Sequence, residues 1–149
     1  MEGLKTMAEF DRRKSIDNLV EEFWRMGYMT VSRKFGTYLP EPLKIGNYDV
    51  DIIARYNKNY AIGIILNPQD LTTSDLYLKL KYLAGRQTKY SNKKVLLIVG
   101  VQEEYISTVK NIINSFEDSV RKNIKIFPIV EKSKISIRPA NKKQNTLFS

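Results

Sequence analysis

The segment from Tyr48 to Leu66 constrains this chain more than any other. Two short apolar runs, 50–54 and 60–66, flank a polar stretch from Arg55 to Asn59. Runs of that length around a polar turn read as an antiparallel hairpin. The first run carries one acidic residue, Asp51. In the second run Gly63 and Ile65 share a strand face, and neither can ionise.

The surrounding sequence supplies the partners such a hairpin needs. From about Ala8 to Met26, Ile16, Leu19, Val20, Phe23 and Trp24 recur at helical spacing, which predicts an amphipathic helix with both aromatics in the core. Gly27 is a helix stop. Tyr28 to Phe35 reads as a strand with Tyr28, Met29 and Val31 available for burial, and 36–47, with two prolines and two glycines, as a loop. After Asn67-Pro68, Thr72, Thr73 or Ser74 can cap a helix from about Ser74 to Lys89, with Leu76, Leu80 and Leu83 inward. The continuous apolar run from Lys94 to Gly100 marks a strand covered on both faces. A helix then buries Tyr105, Val109, Ile112, Ile113 and Phe116. Ile124 to Val130 is a further strand, and Lys134 to Arg138 a short edge strand. The order α-β-β-β-α-β-α-β predicts an α/β fold with a mixed central sheet flanked by helices.

Composition narrows the chemistry. With no cysteine and no histidine, thiolate nucleophiles, serine–histidine triads and most zinc sites are excluded. Any enzyme here would work with Asp, Glu, Lys, Tyr or a hard metal held by oxygen. Lys and Arg outnumber Asp and Glu by 25 to 16, a net charge of +9, which favours a polyanionic partner, nucleic acid first. No apolar run approaches the ~20 residues that span a bilayer, and no signal segment is evident, so a cytoplasmic location is expected.

The helix, the meander with Val50-Asp51-Ile52-Ile53-Ala54 entering its second strand, the Asn57-Lys58-Asn59 turn and Tyr60-Ala61-Ile62 resemble the PD-(D/E)xK nuclease superfamily over roughly residues 8–130. Within it the likeness is to archaeal Holliday-junction resolvases. The resemblance implies a restriction-endonuclease-like α-β-β-β-α-β core in a domain spanning 1–138, a homodimer, and DNA as partner. It also implies a Glu-x-Lys pair where this chain has Gly63 and Ile65. Family nucleases hold Mg²⁺ between the Asp and the Glu, while the Lys orients the attacking water. A single carboxylate is a poor Mg²⁺ site.

The expectation is therefore a catalytically degenerate, resolvase-like DNA-binding protein, nucleoid-associated, serving as scaffold or regulator in recombination and repair, with no cofactor and no metal. Asp51, Asp17, Glu21 and Asp49 are the vestigial catalytic candidates, Asp49 sharing the face of Asp51 on a regular strand. An active Mg²⁺-dependent endonuclease would need a relocated site from these, with Gln69, Asp70, Lys79 or Lys81 in support. Asp51 has another reading, as a buried aspartate capping backbone amides at a strand start. For nucleic-acid contact the candidates are Lys79, Lys81, Arg86, Lys89, Lys93 and Lys94, a run that could also be a plain solvated face. Tyr77, Tyr82 and Tyr90 lie among them and could stack on bases or simply pack.

The polar tail 139–149 stands apart from the domain. Gln144, Leu147 and Phe148 resemble the sliding-clamp (PCNA) interaction motif, with Gln144 for a polar pocket and the two apolar residues for a hydrophobic groove. The chain ends two residues after Leu147, short of the usual aromatic pair. A protein–protein module without DNA binding, with the tail as its docking peptide, is the remaining alternative.

Overall fold

The computed structural model describes residues 2–88 and 93–130, with side chains from residue 12 onward. The expected edge strand at 134–138, the tail residues Gln144, Leu147 and Phe148, and Lys89 and Tyr90 lie outside the described residues. Helix α1 (Glu2–Arg25) leads into β1 (Met29–Arg33), β2 (Ile52–Tyr56) and β3 (Asn59–Ile65). Helix α2 (Leu76–Ala84), β4 (Leu96–Gln102), α3 (Ile106–Asn114), α4 (Asp118–Arg121) and β5 (Ile124–Ile129) complete the order. The five strands form one sheet in the order β1-β2-β3-β4-β5. The first three are an antiparallel meander, and β4 and β5 run parallel to β3. Among the described residues no helix is long and apolar enough to cross a membrane.

Strand alternation sorts the side chains into two layers. Ile52, Ala54, Ala61, Ile65, Ile98 and Ile129 face one way and pack against Ile16, Leu19 and Phe23 of α1. Ile62, Ile64, Leu97, Val99 and Val101 face the other way, against Leu76, Leu80 and Leu83 of α2 and Val109, Ile113 and Phe116 around α3. With helices on both sides, β3 and β4 become near-continuous apolar runs, as expected for buried parallel strands.

Several sequence expectations need correction. Trp24 is 64% exposed, because the buried stripe of α1 is narrow and Trp24 stands one residue, about 100°, around the helix from Phe23. Met29 and Val31 are also exposed. They belong to the sheet edge, and the pairing of β1 with β2 slips between Thr30 and Ser32. That bulge leaves Val31 unpaired and reverses the alternation after it. Ser32 turns inward, and Arg33, opposite Ile52, moves to the α1 face. Helix α2 ends five residues early, at Ala84, where the Gly85 amide bonds back to the Lys81 carbonyl. The Thr72 and Thr73 hydroxyls donate to the Gln69 and Asp70 carbonyls within a 3₁₀ turn and do not cap the helix. The short α4 has no counterpart in the sequence reading.

The start of β1 carries one pH-sensitive group. The Tyr28 ring lies 5.9 Å from Phe23 and 5.8 Å from Tyr56, centroid to centroid. Burial, and secondarily the neighbouring Tyr56, raise its pKa above the ordinary tyrosine value. The neutral form is thus favoured in the folded state, and that contribution to stability is lost as pH rises through the raised pKa. Tyr28→Phe is expected to flatten the loss of stability above pH ~10, measured as urea midpoints from pH 8 to 11.

Candidate functional site

Asp51 lies in a bend just before β2, 2% exposed, and each of its carboxylate oxygens is occupied. Oδ2 accepts the backbone N–H of Ile65 at 2.8 Å. Oδ1 accepts from Arg12 Nη2 at 2.7 Å, with Lys34 Nζ 4.0 Å away. The main chain is fixed as well, since the Asp51 amide donates to the Gly63 carbonyl and the Asp51 carbonyl accepts from the Lys34 amide. The amide-capping reading of Asp51 is thus realised, with an ion pair added to it.

Gly63 explains how α1 comes so close. A β-carbon there would stand 2.9 Å from Phe23 Cε2 and 3.0 Å from Leu19 Cδ2. The helix packs directly on the strand backbone at this position. Ile65 fills the neighbouring space: its Cδ1 would lie only 2.7 Å from a β-carbon on Gly100. Both positions contribute to the apolar layer beneath α1.

The electrostatic result is one buried carboxylate facing two cations. A divalent metal would have to displace a guanidinium and approach an ammonium, with a single carboxylate in return. Among the described residues no group of three acidic side chains converges in a way that could hold a metal ion. The other acidic candidates are separately placed. Asp17 takes a hydrogen bond from Arg33 Nη2 at 2.6 Å and is half exposed. Glu21 and Asp49 are exposed. Asp49 gains no shared strand face, because β2 begins only at Ile52. The Asp70 carboxylate accepts the Asn67 amide at 2.8 Å and stabilises the turn after β3.

A basic cluster surrounds Asp51 that carboxylate-centred reading of the sequence misses. Arg12 and Lys34 contact the carboxylate, Arg33 reaches Asp17, and Arg13 donates to the Phe35 carbonyl while lying 4.9 Å over the Phe35 ring. The Arg12-Arg13-Lys14 triplet and the Arg33-Lys34 pair were the available signal.

The second basic group lies across the sheet. Residues 86–88 pair with 93–95: Val95 donates to the Arg86 carbonyl, Thr88 to that of Lys93, and Gln87 bridges Lys94. This ladder brings Arg86, Lys93 and Lys94 together. Lys93 is exposed, and Lys94 Nζ donates to the Ser119 carbonyl at 3.2 Å. Arg86 stacks over Tyr82 at 3.9 Å, and Tyr82 in turn packs on Tyr48. On α2, Lys79 is half-buried, and Lys81 is exposed with its ammonium 5.9 Å from the Tyr77 ring. Tyr77 packs against Phe116. Two of the three candidate tyrosines therefore contribute to packing. No family model, curated protein or solved structure matches this chain.

Proposed function

We propose that this chain is a DNA-binding protein built on a nuclease-type core whose metal site has been replaced by an internal ion pair. The observation that carries the reading is the Arg12–Asp51 contact of 2.7 Å beside Gly63 and Ile65. An antiparallel meander followed by a helix and a strand parallel to β3 supports the restriction-endonuclease-like assignment. Net charge of +9 and two basic clusters support a polyanionic partner. On this reading the protein holds duplex or branched DNA without cutting it, as a homodimeric scaffold or regulator in recombination and repair, tethered to the sliding clamp by Gln144, Leu147 and Phe148.

Fluorescence anisotropy on labelled duplexes and four-way junctions over a salt series tests both halves. With about five phosphates contacted, affinity should fall roughly 10²–10³-fold between 50 and 200 mM salt. Neither Mg²⁺ nor Mn²⁺ should produce cleavage. Absence of salt-dependent binding to any DNA structure refutes the DNA half. Metal-dependent cutting that Asp51→Ala abolishes refutes the loss of catalysis.

One observation favours the reading as a protein–protein module. Tyr38 and Leu43, in the loop between β1 and β2, are 96% and 86% exposed, two apolar side chains presented to a partner surface. Binding to a clamp protein but not to DNA would select it.

A further inference from the structure

Beyond the end of α2 the sheet face opposite α1 bears a pocket of about 840 Å³. Its floor is the outer half of the β2–β3 hairpin, where Ile53 lies opposite Ile62 and Arg55 opposite Tyr60. These residues share a face by alternation, so two apolar side chains, an aromatic ring and a guanidinium form one surface. Ile45 and Val95 provide apolar walls. Ile45 is held by a two-residue turn in which it exchanges both backbone hydrogen bonds with Tyr48, across Gly46 at φ +62°. The early end of α2 at Ala84 turns the chain so that Arg86, Gln87 and Thr88 form the remaining wall.

The charge on this pocket is one-sided. Among the described residues Arg55, Lys58 and Arg86 line it, no carboxylate does, and none of the three is in a salt bridge. Arg86 is pre-oriented, with Nε donating to the Tyr82 carbonyl at 3.0 Å and its plane stacked on the Tyr82 ring. A guanidinium fixed through Nε keeps its outer N–H groups for a planar or tetrahedral anion. Lys58 stands exposed at the hairpin turn, beside Asn57 at φ +56°.

We infer that this pocket is a nucleotide site, taking a phosphate on Arg86, Lys58 and Arg55 and a base against Ile53 and Tyr60. The ligand is a nucleotide unit, either free or as an unpaired residue of a strand. Its volume is within the range of small-molecule sites. Inorganic phosphate alone would leave the apolar floor uncovered, and a fatty carboxylate would not call for three cations. The inference rests on the nucleic-acid reading above but uses the face away from Asp51, so the two can fail separately.

The test is equilibrium binding to the full chain of labelled oligothymidylate, with thymidine 5′-monophosphate and inorganic phosphate as competitors. Two pocket variants, Lys58→Gln/Arg86→Gln and Lys58→Glu, are compared with Lys110→Gln/Lys122→Gln, which removes the same charge from exposed positions elsewhere. Lys58→Glu leaves the Arg86–Tyr82 stack untouched, so it reports on the site even if the double variant folds poorly. The pocket variants should weaken nucleotide or strand binding by at least about tenfold and the control by less than about twofold. Displacement by the monophosphate identifies a free nucleotide, and displacement only by oligonucleotides an unpaired strand residue. Equal weakening by pocket and control variants overturns the site while leaving general DNA binding intact. Inorganic phosphate competing as well as the nucleotide overturns the role of the floor, and no binding of either probe overturns the inference outright. Nucleotide binding that depends on Lys58 in a protein that ignores duplexes and junctions sustains the pocket and removes the DNA-scaffold reading.

Discussion

Placing a nuclease-like Glu-x-Lys pair in β3, Gly63→Glu with Ile65→Lys, is expected to unfold much of the protein and to produce no metal-dependent cleavage. The first added carbon at position 63 would meet Phe23 Cε2 at 2.9 Å, Leu19 Cδ2 at 3.0 Å and Ile52 Cβ at 3.2 Å. All three belong to the buried layer under α1. Overpacking of this kind costs about 1–3 kcal/mol. Gly63→Ala isolates that steric part. The glutamate adds an unpaired charge in an apolar layer, at several kcal/mol more, and a lysine at 65 would bring its ammonium into the space Ile65 now fills over Gly100. Against a typical total stability of 5–15 kcal/mol, a combined loss of at least about 4 is decisive. Urea denaturation of wild type, Gly63→Ala and the double variant measures it. A folded double variant that nicks junctions in Mg²⁺ would show that the packing of α1 here leaves room for a working metal site.

On the proposed reading, the absence of metal chemistry and the stability of the fold have one structural cause. With glycine at position 63, α1 seats Leu19 and Phe23 on the bare backbone, and the buried Asp51 carboxylate needs a cation. Arg12, on the same helix as that apolar stripe, supplies it. The apolar stripe and the ion pair thus both fix the position of α1 on the sheet.

Much of this architecture was legible in the sequence because hydrophobic patterning is enforced by burial. The hairpin, the run from Lys94 to Gly100 and the inward positions of α2 and α3 follow from periods of two and 3.6 residues, and each has a buried counterpart here. What could not be read depends on contacts between distant segments. Nothing near Asp51 singles out Arg12, 39 positions earlier, from among 25 basic residues. The bulge at Val31 has no glycine or proline to announce it, yet it decides that Arg33 meets Asp17. The spacing of Trp24 fits a wide apolar stripe, whereas a helix lying on one sheet face buries a narrow one and leaves Trp24 outside. The pocket residues Arg55 and Lys58 read as an ordinary polar turn, and only the shortened α2 leaves that end of the sheet open.

Breaking the Arg12–Asp51 pair should cost more than any other single ion pair among the described residues. Removing one partner of a buried pair costs about 3–5 kcal/mol, chiefly because the other charge is stranded. Asp51→Ala falls in that range, since the substitution also strips the Ile65 amide of its acceptor. Arg12→Ala should cost less, about 2–3 kcal/mol, because Lys34 stays 4.0 Å from the carboxylate and the Ile65 amide still donates to it. Arg33→Ala is the contrast. Its partner Asp17 is half exposed, so water replaces the arginine at a cost of no more than about 1 kcal/mol. A double-mutant cycle on Arg12 and Asp51 should give a coupling of about 1–3 kcal/mol, because the double variant strands neither charge. Mg²⁺ added to Arg12→Ala should not recover the lost stability beyond the effect of NaCl at matched ionic strength. Ion-specific recovery in thermal melts would mean that the arginine merely covers a site still able to bind metal.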